Sequence, residues 1–195
     1  KLWGLITIKF LTDSAWFFFI FWLPKYLADA RGLDIKSIGY YAWIPYAFAG
    51  VGSFCGGWLS SFLIRRGLSL DLSRKITLGI AAFIMPVTLL ITNASLSFAI
   101  VFFSMAMLGH QFWSTVVQTL AADIFPSGVV GSVSGLMGAI GSFGAMLFSL
   151  LAGQIIFHMG YTPVFLIAGL LYPVSFIILL LVVKKIRPVS LLSAR

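Results

Sequence analysis

Six runs of mostly apolar residues divide the chain, at about 3–24, 39–64, 76–93, 97–121, 131–157 and 163–184. Each is near the roughly 20 residues that a helix needs to cross a hydrocarbon layer. Within lipid every backbone polar group must be satisfied inside the protein, which leaves helices or a closed barrel. The runs lack the alternation a barrel strand requires. The sequence therefore predicts an all-α, polytopic membrane protein: a six-helix bundle over residues 1–184 and a tail over 185–195. Composition agrees. The chain is 61% hydrophobic and 9% charged, with mean hydropathy +1.07. An average soluble domain is about 25% charged.

The charges mark the ends of the runs. If Lys1 is cytoplasmic and sides alternate, that side also collects Arg65, Arg66, Arg74, Lys75, Lys184, Lys185, Arg187 and Arg195. The opposite side holds only Lys25, Arg31 and Lys36, and Lys9 lies within the first run. An excess of Lys and Arg marks cytoplasmic loops, so both ends of this segment are expected in the cytoplasm. The net charge of +8 is thus loop charge, not a nucleic-acid footprint. The chain opens on Lys1 and enters an apolar run at once, without a signal-peptide cleavage pattern, so it reads as a segment that starts just before a spanning helix.

Several chemistries find no support. A single cysteine, Cys55, supplies neither a disulfide framework nor a cysteine metal cluster and reads as a small packing residue. No nucleotide-binding fingerprint is present. The stretch Gly131-Ser132-Val133-Ser134-Gly135 lacks the spacing of an intramembrane serine nucleophile. The chain is read as a non-enzyme without cofactor or metal.

Small residues recur at helical spacing. The fifth run carries Gly131, Gly135, Gly138, Ser142, Ala145, Ser149 and Gly153, and the second carries Gly52, Gly56 and Ser60. Such stripes let helix backbones approach closely in lipid. They fit either static packing or a helix pair that slides.

Two polar constellations stand out. Lys9 and Asp13 are spaced i, i+4 and share a helix face, which Thr12 and Trp16 extend. Buried charges in spanning helices are costly and face a partner or a water-filled cavity. The pair is either a structural ion pair or a cation that receives an anionic solute. In the fourth run Gln111, Ser114 and Gln118 form a stripe beside His110 and Trp113, with Ser104 two turns earlier. Amides and hydroxyls suit a hydroxyl-rich ligand and an indole suits a sugar face. Interhelical hydrogen bonding is the other account. His158 sits near a loop and reads as solvated.

The run Phe21-Trp22-Leu23-Pro24-Lys25-Tyr26-Leu27 with Ala30-Arg31-Gly32 resembles the end of the seventh helix of the anion:cation symporter family, within the major facilitator superfamily. Ala122-Asp123-Ile124-Phe125-Pro126 with Gly131 to Gly135 resembles its junction between helices ten and eleven. Gly56-Gly57-Trp58-Leu59 through Arg65-Arg66-Gly67 to Arg74-Lys75 is similar to the superfamily's cytoplasmic loop motif, with Ser61 at the acidic position. Within the family the chain looks most like bacterial hexuronate and aldonate transporters.

The resemblance implies the C-terminal half of a twelve-helix transporter, with a midplane site shared with an N-terminal six-helix half that carries the coupling carboxylate. It implies alternating access in a bacterial inner membrane, with a carboxylated sugar such as a hexuronate moved together with protons. Lys9 falls at a polar or basic substrate contact of the seventh helix, and His110 and Trp113 match substrate-facing positions of the tenth; Asp13, Gln111 and Ser114 join the candidate site from the helix faces alone. Gly138 and Ser142 fall near a ligand position often held by Asn. Another organic anion, an aldonate or aromatic acid, is the alternative solute. A channel or a structural membrane subunit would be the other class, but the first should be polar on several helices and the second has no reason to bury Lys9.

Overall fold

Polar caps and prolines, rather than the fall in hydropathy, set the ends of the helices. A computed structural model describes residues 1–186. It contains α1 (Leu2–Asp29), α2 (Ile35–Arg65), α3 (Leu70–Ile84), α4 (Leu96–Ile124), α5 (Ser127–Met159) and α6 (Thr162–Ile178). No strand occurs among the described residues. All six helical segments are long and apolar enough to cross a membrane, once α3 is counted with the 3-10 turn after it and α6 with its π turn.

Helix α2 starts at Ile35 because the Asp34 carboxylate accepts from the Ser37 amide at 3.2 Å, satisfying one of the free donors of the first turn. That bond lowers the Asp34 pKa. Ser69 caps α3 by accepting from the Leu72 amide at 3.3 Å. The loop expected over 65–75 therefore closes early, and Arg74 and Lys75 lie within α3. At the far end Pro86 has no amide to donate and cannot continue the α ladder, so Met85–Leu90 tightens into a 3-10 helix. Pro24 likewise frees the Ile20 carbonyl inside α1, and the Tyr46 hydroxyl of α2 donates to it at 2.9 Å.

The closest helix pairs are α2 with α4 and α1 with α5. Gly52 and Gly56 set the first: a methyl on either would strike the backbone of α4 at Leu108 or Phe112. Ser53 and Thr115 share a 2.9 Å hydrogen bond across the same seam. Gly141 and Gly144 set the second, where a methyl would strike Asp13, or Phe10 and Ser14. Helices α2 and α5 do not touch each other and are the least buried of the six. Between them α1 and α4 line an open face.

The fifth-helix stripe differs from its sequence expectation. A methyl on Gly131, Gly135 or Gly138 would meet nothing within 4 Å, and Ser142 is exposed. Those residues do not pack within this bundle, because the face of α5 that meets α1 is the one bearing Gly141 and Gly144.

The interior is aromatic. Phe18, Tyr26 and Phe103 pack around Phe165 with ring centroids 5.3–5.5 Å apart, at angles of 70–87°. Many large apolar side chains remain exposed, Phe83 and Phe157 among them. A protein in water does not present that much contiguous apolar surface. The chain is a multi-pass membrane protein.

Charged networks close the two ends. Arg74 holds Asp123 through two bonds, 2.8 and 3.3 Å, and donates to Ser60 at 2.7 Å, tying α2, α3 and α4. Asp71 accepts from Lys75 and, at 2.8 Å, from the Ile186 amide, while Lys75 also donates to the Lys184 carbonyl. At the other end Arg31 donates to the Tyr26 hydroxyl at 2.9 Å and the Ile91 carbonyl at 2.7 Å. Burial and the neighbouring Asp29 carboxylate raise the Tyr161 pKa there. The tail expected over 185–195, with Arg187 and Arg195 of the basic set, lies outside the described residues from 187 onward.

Candidate solute-binding site

The open face is polar along one stripe of α1. Lys9, Asp13 and Trp16 follow one another at four and three residues and so lie on one side of the helix. The Lys9 ammonium donates to Asp13 Oδ1 at 3.0 Å and lies 2.8 Å from Oδ2. The two residues are 8% and 7% exposed. Asp13 nestles against Gly141, where only the absence of a side chain admits the carboxylate.

Lys9 also opens onto a cavity of about 120 Å3, with Gln118 of α4 and Ser134, Met137 and Gly138 of α5 as the other walls. These helices arrive at matching depth. Lys9 is seven residues from the start of α1, Gln118 six from the end of α4 and Ser134 seven from the start of α5. At 1.5 Å per residue each lies about 10 Å from the Lys1 end of the bundle.

About two turns deeper, near mid-bundle, Trp16 stacks on His110 with centroids 4.2 Å apart and planes 8° apart. The Tyr172 hydroxyl of α6 donates to the Thr12 carbonyl at 3.1 Å and meets His110 Nδ1 at 2.5 Å. A carbonyl only accepts, so the single hydroxyl proton is committed to Thr12. The proton in the second bond then comes from His110, which fixes the Nδ1–H form. Trp113 meets Tyr172 edge-on at 5.9 Å.

The structure thus separates the residues that the sequence groups together. Lys9 and Gly138 line the cavity, and Asp13 stands behind Lys9 as its partner. His110 and Trp113, 2% and 0% exposed, face α1 and α6 from inside the bundle instead of the open side. Ser114 is buried, and Gln111 is half-buried on the side of α4 that faces α2. Ser142 belongs to a separate, mostly apolar groove of about 400 Å3 with Phe17, Phe21 and Met146. Two contributors, Tyr172 and Ser134, escape the sequence selection, which does place Gln118 on the polar stripe of α4. Tyr172 carries its only signal in being a hydroxyl within an apolar run. Gln118 and Ser134 become neighbours of Lys9 only once α4 and α5 are packed on α1. No group of three or more metal-ligating side chains occurs among the described residues.

This arrangement is a helical membrane bundle with an ion pair beside a small polar cavity, the form of a solute carrier. The chain is similar to bacterial sugar-acid transporters, anion transporters of the major facilitator superfamily. It is 32% identical over 169 residues to the hexuronate transporter of Escherichia coli (strain K12), covering 85% of this chain and 39% of that protein. It is 26% identical over 191 residues to the D-galactonate transporter of Escherichia coli O6:H1, covering 95% and 44%. The chain spans about two-fifths of the length of these relatives. No protein-family model matches it.

Proposed function

We propose that this chain is the C-terminal six-helix half of a twelve-helix secondary transporter that takes up a carboxylated sugar with protons across a bacterial inner membrane. The observation that carries the reading is the Lys9 ammonium at the wall of a polar cavity, with Asp13 as its buried counter-ion. Asp13 takes one ammonium donor in a hydrogen bond, which leaves N–H groups for a solute carboxylate. The relatives named for hexuronate and D-galactonate support a sugar acid as the solute, and the second keeps aldonates beside hexuronates.

The open face between α2 and α5 supports a second bundle as its cover. The exposed Gly131 and Gly135 offer that bundle a surface without side chains. Proton coupling rests on the family resemblance. Of the five acidic residues, only Asp13 lies deep in a helix, and Lys9 engages both its oxygens. That supports a coupling carboxylate in the other half.

Uptake of labelled galacturonate and galactonate into cells expressing the full-length protein, with and without a protonophore, tests this. Saturable uptake abolished by the protonophore is expected. Uptake of neither acid, or uptake indifferent to the proton gradient, overturns it.

A further inference from the structure

We infer that Gln118 and Ser134 read the carbon next to the solute's carboxylate, making the Lys9 cavity selective for 2-hydroxy carboxylates. This rests on the proposal that Lys9 receives that carboxylate.

The first argument is size. Sites that enclose a whole drug-sized ligand measure roughly 300–1,000 Å3. The Lys9 cavity measures about 120 Å3 and takes one end of a sugar acid, with the rest of the chain left on the open face. The end it takes is the charged one, because the single cation on its wall is Lys9.

The second argument is the chemistry of the walls. Beyond Lys9 the polar lining consists of Gln118 from α4 and Ser134 from α5, on a different helix from the ammonium and from each other. Met137 supplies an apolar wall, and Gly138 leaves room where a methyl would otherwise project. The side chains of Gln118 and Ser134 make no hydrogen bond to another described residue, and both are exposed. An amide and a hydroxyl can each donate and accept. A hydroxyl on the adjacent carbon does the same, so it can satisfy both groups while the carboxylate stays on Lys9. Open-chain sugar acids carry such a hydroxyl. A ring-closed hexuronate presents its ring oxygen at that carbon, which accepts from either group but cannot donate.

A competition experiment on the purified full-length transporter tests the inference, with D-galactonate and 2-deoxy-D-galactonate displacing a labelled sugar acid. The 2-deoxy acid should bind about five- to tenfold more weakly, the value of one net hydrogen bond. That gap should shrink toward unity in Gln118→Leu or Ser134→Ala, with 2-deoxy affinity nearly unchanged. Both positions are exposed, so neither substitution disturbs the packed interior. Equal competition by the two acids, competition by neither, or a gap that persists in both variants overturns the inference. Lys9→Gln in the same assay separates the underlying proposal: unchanged sugar-acid affinity there removes the carboxylate site itself, whatever Gln118 and Ser134 do.

Discussion

Trp16 lies flat on His110, and that contact divides the mid-bundle aromatics by task. The Trp16 indole is half-exposed on the stripe that bears Lys9, whereas the imidazole beneath it is enclosed and bonded to Tyr172. Trp16→Ala should weaken solute binding several-fold with little loss of folded protein, since an aromatic face contributes about 0.5–1.5 kcal/mol beyond its area. His110→Phe should do the reverse, lowering thermal stability by removing the hydrogen bond that the Tyr172 hydroxyl accepts, while its bond to the Thr12 carbonyl remains. Paired binding isotherms and melting curves of the purified variants distinguish these effects. A Trp16→Ala protein with parental affinity would remove the indole from the site.

The glycines of α5 should split into two groups. Gly141→Ala drives a methyl into the Asp13 carboxylate and should destabilise the protein by about 1–3 kcal/mol, as overpacking does. Gly131→Ala and Gly135→Ala meet open space in this bundle and should leave its packing unchanged. They should alter transport instead, if another bundle closes on that face. Melting temperature and initial uptake rate, measured side by side, report the two effects. Equal destabilisation at Gly135 and Gly141 would contradict the assignment of faces.

How much of this is legible beforehand follows from what helical periodicity encodes. The six spans are plain because lipid imposes their length, and the i, i+4 spacing of Lys9 and Asp13 places them on one face without any knowledge of the neighbours. Periodicity does not say which neighbour a face will meet. His110, Gln111, Trp113 and Ser114 read as one polar neighbourhood, yet α4 turns His110 and Trp113 toward Tyr172 and Gln111 toward α2. The stripe from Gly131 to Ser142 has the composition of a packing seam, yet it lies beside the seam that Gly141 and Gly144 form. The caps Asp34 and Ser69 are readable as residue types, but their effect on loop length emerges only with the backbone.

The Arg74–Asp123 pair ties three helices and is largely enclosed, with side chains 11% and 17% exposed. Asp123→Asn removes the charge that meets the guanidinium. It should lower stability by about 1–3 kcal/mol, because hydrogen bonds to charged groups are worth more than neutral ones. Arg74→Lys should recover part of the loss expected for Arg74→Ala, keeping the charge without the two-pronged geometry. Unfolding in detergent checks both. A parental melting temperature for Asp123→Asn would show the pair to be energetically idle.

The basic residues at the Lys1 end predict its side of the membrane. With Cys55 replaced, a cysteine at Ser69 should resist an impermeant thiol reagent in intact cells and react after permeabilisation. Labelling without permeabilisation would invert the topology.

The most direct test of the account is the affinity of the purified, monodisperse full-length Lys9→Gln transporter for a sugar acid. A charge-assisted hydrogen bond contributes roughly 1.5–3 kcal/mol, so binding should weaken about ten- to hundredfold. Lys9→Arg should fall between that variant and the parent. If Lys9→Gln instead lowers only the amount of folded protein and binds the sugar acid with parental affinity, Lys9 serves Asp13 alone and the carboxylate site lies elsewhere.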